Sequence, residues 1–260
     1  MYKIKKYICY IMFNYSLYEK TIFKNLLLDK DEWYFKSDKS YTEILEHVSF
    51  ESGLKYLLLI EDKFNVIYTN NKEFIIDICY LNDKYGKTIK QNFKNFCCCS
   101  PSNIRYIFHA LLILEYMIKT NLNNIDIVEI GGGYGGLCLF LYKLSTLFNI
   151  TINSYSIFDL NEPMKLQKKY LEIHNIPINT ISLDDENIKL NKDSFLISNY
   201  AFSEISMSLQ KLYKEKVIDP FISHGFLTWN IINIYKFTER DITYEKEYPE
   251  TGNNNLYVYF

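Results

Sequence analysis

Residues Ile125-Asp-Ile-Val-Glu-Ile-Gly-Gly-Gly-Tyr-Gly-Gly-Leu137 decide how the rest of this 260-residue chain is read. An apolar run, Ile125 to Ile130, ends in five glycines within six positions, and a second apolar run, Leu137 to Phe148, follows. The chain has only nine glycines, so more than half of them sit in one turn. Such a turn bends sharply and lets the backbone come close to something. Strand, glycine turn and helix is the layout of a nucleotide-binding βα unit.

Working outward, the downstream text alternates. Apolar runs and turn residues predict a strand over residues 125–130, a helix over 135–148, a strand over 151–158 and a helix over 162–174 with Pro163 near its first turn. A short strand near 179–183, a strand over 194–198 and a helix over 203–218 follow. A strand over 226–231 leads into a short helix, and two strands close the chain near 242–247 and 256–260. Alternating β and α means a largely parallel sheet with helices on both faces, an α/β fold of Rossmann-like type. Residues 247–255 leave no room for a helix between the last two strands, which therefore form an antiparallel hairpin.

Upstream, residues 1–35 read as an extension rich in Tyr and Lys, and residues 36–100 as a mainly helical lobe. Tyr41, Ile44, Leu45 and Val48 have helical spacing; residues 54–60 and 64–68 read as strand or buried helix. Asn82-Asp-Lys-Tyr-Gly86 is turn chemistry, and Ser100-Pro101-Ser102-Asn103 opens a helix with a broad apolar face as far as Tyr116. The domain reading is thus 1–35, 36–100 and 101–260.

The formal net charge of −2 gives no argument for nucleic acid or an anionic membrane as partner. No stretch reaches ~18 consecutive apolar residues, so no membrane-spanning helix is expected. Residues 1–13 carry lysines and an apolar run, but the run is short, tyrosine-rich and without a small-residue cleavage site. They are not read as a signal peptide, and a cytoplasmic protein is expected. Of six cysteines, three are consecutive (Cys97, Cys98, Cys99), and Cys9, Cys79 and Cys138 supply no paired spacing. Reduced thiols and no metal are the expectation.

Gly131, Gly133 and Gly136 fit G-x-G-x-x-G, the dinucleotide fingerprint, which alone is weak. Glu129, Gly131, Gly133 and Gly135 also fit E-x-G-x-G-x-G, which suits S-adenosylmethionine. Its methionine part is short and zwitterionic and carries no pyrophosphate, so glycines bring backbone close to it and a strand-end acid pairs with its ammonium. Three features favour this donor over NAD: a motif that begins behind a long N-terminal region, Asp159 at the end of the next strand to accept ribose hydroxyls (a feature NAD enzymes share), and the terminal hairpin. The cofactor side is therefore assigned to Glu129, Gly131, Gly133, Tyr134, Gly135, Asp159, Leu160 and Asn199.

The same residues carry a family resemblance. Val128-Glu-Ile-Gly-Gly-Gly-Tyr-Gly-Gly-Leu137 resembles the first motif of class I S-adenosylmethionine-dependent methyltransferases, and the chain is similar to the group described as sugar O-methyltransferases. That group tends to show segments that appear here, in order, as Ile44-Leu-Glu-His47, Asn82-Asp-Lys-Tyr-Gly86, Ser100-Pro-Ser-Asn-Ile-Arg-Tyr106, Tyr155-Ser-Ile-Phe-Asp-Leu160, Ser198-Asn-Tyr-Ala-Phe-Ser-Glu204 and Glu247-Tyr-Pro-Glu-Thr251. The similarity covers roughly residues 36–260 in that order. One departure is Asn161-Glu162-Pro163, where relatives often place proline directly after the Asp-Leu pair. The resemblance implies a class I methyltransferase sheet, S-adenosylmethionine as cofactor, and a small-molecule or glycan acceptor.

Methyl transfer to a hydroxyl needs alignment, exclusion of water and a general base. His47, which titrates near neutrality, and Glu204, just past a strand end, are the candidate bases. Arg105 and Tyr200 are candidate acceptor-binding residues. Asp184 and Asp185 either meet the adenine or form a solvated turn, the second being the commoner role of such a pair. A homo-oligomer is compatible with the sequence. The rival functions are an NAD-dependent oxidoreductase acting on a nucleotide sugar and a non-catalytic scaffold that retains the fold.

Overall fold

The computed structural model describes residues 16–230 and 232–260, so the segment weighed as a signal peptide lies outside the described residues. The chain divides into two compact units, Met1–His109 and Ala110–Phe260, and the division falls inside the helix Pro101–Lys119.

In the first unit a helix over 16–26 precedes α1 (Phe50–Lys63) and α2 (Asn65–Asp83). A two-residue antiparallel ladder then pairs Gln91 with Cys99 and Asn92 with Cys98, ahead of α3 (Pro101–Lys119). Residues 16–35 are not an appendage. Tyr18, Ile22, Trp33 and Phe35 are buried in the unit core, with Tyr18 stacked on Tyr41 at 5.0 Å between ring centroids. Burying one such side chain contributes roughly 1.5–3 kcal/mol.

The helix expected over 41–48 does not form. Asp38 caps a single turn, Lys39–Thr42, by accepting from the Ser40 N–H at 2.9 Å. Ser49, in extended backbone, caps α1 by accepting from the Ser52 N–H at 3.1 Å. Between the two caps Glu46 takes a φ of 53°, which a right-handed helix forbids. Local capping thus beats the apolar spacing, and His47 lies in a loop.

The second unit holds β1 (Asn124–Ile130), α4 (Gly136–Ser145), β2 (Thr151–Phe158), α5 (Asn161–Ile173), β3 (Asn179–Ile181), β4 (Ser194–Asn199), α6 (Ala201–Glu204) and α7 (Met207–Tyr213). It ends with β5 (Ile222–Trp229), β6 (Thr243–Lys246) and β7 (Leu256–Tyr259). Seven strands form one sheet in the order β3-β2-β1-β4-β5-β7-β6. The pairs β3–β2, β2–β1, β1–β4 and β4–β5 are parallel, whereas β7 runs antiparallel to both β5 and β6. This is the Rossmann-like sheet with a terminal antiparallel hairpin that the alternation and the short last loop required. Strand order reverses between β1 and β4, which makes the carboxyl ends of those strands the natural crevice.

Two expectations fail here. The helix over 203–218 is broken: α6 stops at Glu204, Ile205 is extended, and Ser206 caps α7 by accepting from the Leu209 N–H at 3.3 Å. A π-helical turn, Lys214–Ile218, follows. After β5 there is no short helix among the described residues; 232–242 are irregular. There Trp229 donates its indole N–H to the Ile232 carbonyl at 2.8 Å, and Phe237 stacks on Trp229 at 5.2 Å. Those rings pack with Phe202, Leu227, Val258 and Phe260 against one face of the sheet, so the segment folds flat over the core.

Candidate functional site

The glycine turn follows β1 at the reversal point. Gly131, Gly133 and Gly135 have φ values of 78°, 60° and 95°, left-handed backbone that side chains resist. Packing demands glycine as well. A Cβ on Gly131 would lie 2.2 Å from the Ala201 Cβ, and one on Gly135 would lie 2.8 Å from Leu171 Cδ1. The Gly131 N–H donates to the Phe158 carbonyl at 2.9 Å, extending the β1–β2 ladder into the turn.

Two acids flank it. Glu129, fully buried, pairs in register with Ile157 and Ile197, and it accepts from the Tyr155 hydroxyl at 2.9 Å. Burial raises its pKa to about 7; the Tyr155 bond opposes this and the Asp159 charge reinforces it. Asp159, partly buried just past β2, accepts from the Leu160 N–H at 2.8 Å, the Gly133 N–H at 3.2 Å and the Gln167 amide at 2.8 Å. Burial raises its pKa to about 6, and these donors hold it back. The same Gln167 amide donates to the Gly133 carbonyl at 2.9 Å. Gln167, buried on α5, thus ties acid to turn. Nothing in its sequence context marked it.

The cofactor-side residues divide in two. Glu129, the glycines, Asp159 and Leu160 gather at the carboxyl ends of β1 and β2, with the Leu160 side chain 44% exposed beside the acid. Tyr134 differs: its ring is fully buried against Tyr170, 5.1 Å between centroids, so packing rather than ligand contact explains its side chain. Asn199 lies at the end of β4, its carbonyl oxygen accepting from the Thr228 hydroxyl at 2.9 Å.

The β4 end is built from side chains. Ser198 donates to the Ile130 carbonyl at 2.8 Å and accepts from the Phe202 N–H at 3.0 Å, joining β1, β4 and α6. Ser198 thus serves the first turn of α6, and Ser203 donates to the Tyr200 carbonyl at 2.8 Å and to the Asn230 side-chain oxygen at 2.7 Å. Tyr200 has a φ of 66° without being glycine. Its hydroxyl donates to Glu247 and lies 3.1 Å from the Thr251 hydroxyl. Glu247 is fully buried, and its other oxygen accepts from the Thr251 N–H (3.0 Å), the Thr251 hydroxyl (2.7 Å) and Asn255 (3.0 Å). Glu204 is exposed and accepts from the Asn230 amide at 2.7 Å. Asp184 and Asp185 form an exposed turn, with Asp185 accepting from the Ser182 N–H at 3.2 Å.

In the first unit three of the family-like segments converge. Ser100 donates its hydroxyl to Glu46 at 3.0 Å and its N–H to Asp83 at 2.8 Å. Asn82 bonds Asn103, and the buried Lys36 donates to the Asn82 carbonyl. Burial lowers the Lys36 pKa to about 8, against the Glu46 and Asp83 charges, and raises the Asp83 pKa to about 6. Arg105 is buried, its guanidinium over the Tyr106 ring at 5.9 Å. His47 is nearby and solvent-exposed; desolvation by the surrounding protein and the Arg105 charge lower its pKa to about 4, so the ring is neutral at pH 7. No described helix is long and apolar enough to cross a membrane.

No protein-family model and no curated protein matches this chain. Among solved structures it is similar to an S-adenosylmethionine-dependent methyltransferase from Clostridium acetobutylicum, with 14% identity over 54% of this chain and 56% of that chain and a TM-score of 0.38. It is similar to TrmK from M. capricolum in complex with S-adenosyl-homocysteine, with 15% identity over 56% and 66% and a TM-score of 0.38. It is also similar to the CMeT domain of the citrinin polyketide synthase, with 12% identity over 62% and 53% and a TM-score of 0.44. The chain spans about half the length of other solved structures it matches, 49% and 50% in two of them. These likenesses are ones of general architecture; the fold itself rests on strand order and register.

Proposed function

We propose that this chain is an S-adenosylmethionine-dependent methyltransferase acting on a hydroxyl of a sugar, nucleotide sugar or glycan. One observation carries the reading: the left-handed glycine turn sits at the reversal of strand order, with Glu129 on one side and Asp159 on the other. The residues fit the donor. Asp159, oriented by the Leu160 and Gly133 N–H groups and the Gln167 amide, is the acid at the end of β2 that would accept a ribose hydroxyl. Gln167 and Gly133 fix its orientation, Leu160 offers apolar surface beside it, and the buried Glu129 is a counter-charge for an ammonium. When bound, the donor supplies an electrophilic methyl group on a sulfonium. The chain has then to orient the acceptor oxygen, exclude water and take its proton.

His47 and Glu204 are the proposed bases. His47 holds a free lone pair at neutral pH because its pKa is depressed. Glu204 is held by Asn230 one turn from Tyr200. The sugar reading rests on the ordered motifs alone, three of which meet at Lys36, Asp83 and Ser100.

Calorimetric titration with S-adenosylmethionine and, separately, with NAD tests the cofactor. Saturable binding of the first and none of the second is expected; the reverse result overturns the proposal. A mass-spectrometric screen of nucleotide sugars and glycans for the gain of one CH₂ then tests the acceptor. His47→Ala and Glu204→Gln, assayed on the substrate found, separate the bases: the true base loses turnover roughly 10²–10⁴-fold with donor affinity kept.

A further inference from the structure

We propose that Cys79, Cys97 and Cys99 form a trithiolate site for a thiophilic divalent cation, with zinc the natural occupant. The consecutive cysteines hide the pattern in the sequence, because the third ligand comes from a helix eighteen residues upstream. On an extended strand, positions 97 and 99 project to one face and position 98 to the other. The structure shows that division: Cys97 and Cys99 are buried, and Cys98 is exposed. Cys79, on α2, is fully buried and meets the first two. The three sulfurs all lie within 4.8 Å of one another, and no other group of three such ligands is found among the described residues. Tetrahedral zinc–thiolate bonds of about 2.3 Å put sulfurs about 3.8 Å apart, so closure asks for a contraction of at most about 1 Å.

The frame that would hold them is fixed from several sides. The turn before Cys97 is closed by the Phe93 N–H on the Cys97 carbonyl at 3.1 Å, with Asn95 in left-handed backbone at φ 64°. Lys72 of α2 donates to the Asn95 carbonyl, and Asn103 donates to the Cys79 carbonyl at 3.2 Å. Lys90 places positive charge near Cys97, which suits a site whose three thiolates leave one net negative charge on a bound dication. Binding forms three metal–sulfur bonds and releases the protons the thiols carry. The fourth position is left to an exogenous ligand.

The test uses the full chain, reduced and freed of metal. Titration with Cd²⁺ is followed by the ultraviolet thiolate-to-metal charge-transfer band, and zinc is assayed by plasma mass spectrometry in protein purified without chelator. One equivalent of bound metal is expected. The band should be lost in Cys79→Ser and Cys97→Ser and kept in Cys98→Ser and Cys138→Ser. Where a serine variant does not fold, alkylation of wild-type protein with and without Cd²⁺ decides. Protection of Cys79, Cys97 and Cys99 with Cys98 still modified supports the site. No saturating band, an unchanged band in Cys79→Ser, or equal labelling with and without metal overturns it.

Discussion

The ends of β1 and β4 lie side by side in the sheet and each turns at a positive φ, yet they are made of opposite materials. After β1 the positive-φ residue is Gly131; one strand over it is Tyr200. Glycine adopts a positive φ freely. A bulky residue at positive φ costs about 1–3 kcal/mol, which its surroundings must offset. Around Tyr200 they do so: its N–H is bound by the Thr228 carbonyl at 2.9 Å, and its hydroxyl is strapped to the buried Glu247. At one end the missing side chain lets Ala201 pack against the turn, and at the other a network holds a hydroxyl-bearing ring in a set place.

The sharpest way to break the contrast is Gly131→Ala. Its Cβ would meet the Ala201 Cβ at 2.2 Å on backbone of φ 78°. We expect a loss of about 3 kcal/mol or more, read by chemical denaturation, with donor binding abolished. Adding Ala201→Gly should recover the clash part and leave the backbone part. Next comes the strap. Glu247→Ala removes the shared acceptor of Tyr200, Thr251 and Asn255, which costs about 2–4 kcal/mol. Tyr200→Phe removes one bond and leaves one acceptor unfilled, at about 1–2 kcal/mol, measured the same way. If Tyr200→Phe matches wild type in stability, the hydroxyl is not what holds the backbone.

The smallest effect concerns pH. Glu129 has a folded pKa of about 7, raised by burial, so the folded protein holds a proton that the unfolded chain has already lost. The stabilisation is complete below the ordinary carboxylate range and is lost as pH rises through about 7. Asp159 acts in the same direction over a lower window, up to about 6. Thermal melts from about pH 5 to about pH 8 should fall in wild type and fall less in Glu129→Gln. Affinity for a cationic donor should run the other way, rising several-fold over that range as Glu129 ionises.

The legibility of the two ends follows from the same contrast. Five glycines in six positions form a statistical event in a chain with nine, so the turn, its strand and its acids could be read directly. Strand alternation likewise fixed the sheet, because the side-chain period and the short loop over 247–255 admit few alternatives. Tyr200 stands out by its place in the Ser198–Glu204 segment, but as one of 24 tyrosines it carries no signal of its positive φ or its buried partner. Glu247 stood in a quoted motif without a role, since only folding shows that its acceptors are filled from Tyr200, Thr251 and Asn255. The helices over 41–48 and 203–218 were misread for one reason: Ser49 and Ser206 cap new helices inside runs whose apolar spacing is continuous. Gln167 and Ser198 act through tertiary hydrogen bonds, which leave no periodic trace.

The position of β7 has a consequence for synthesis. It is the last of the seven strands in sequence but lies inside the sheet, where Gly225 and Phe260 exchange both backbone hydrogen bonds at 2.8 and 3.2 Å. Until it arrives, β5 presents an unpaired apolar edge to whatever else is in solution. At ~5–20 residues per second, the roughly thirty residues between Trp229 and Tyr259 take about 2–6 s to be made. The order of synthesis thus makes the β5–β7 pairing the step that seals the middle of the sheet, after every other strand has been made.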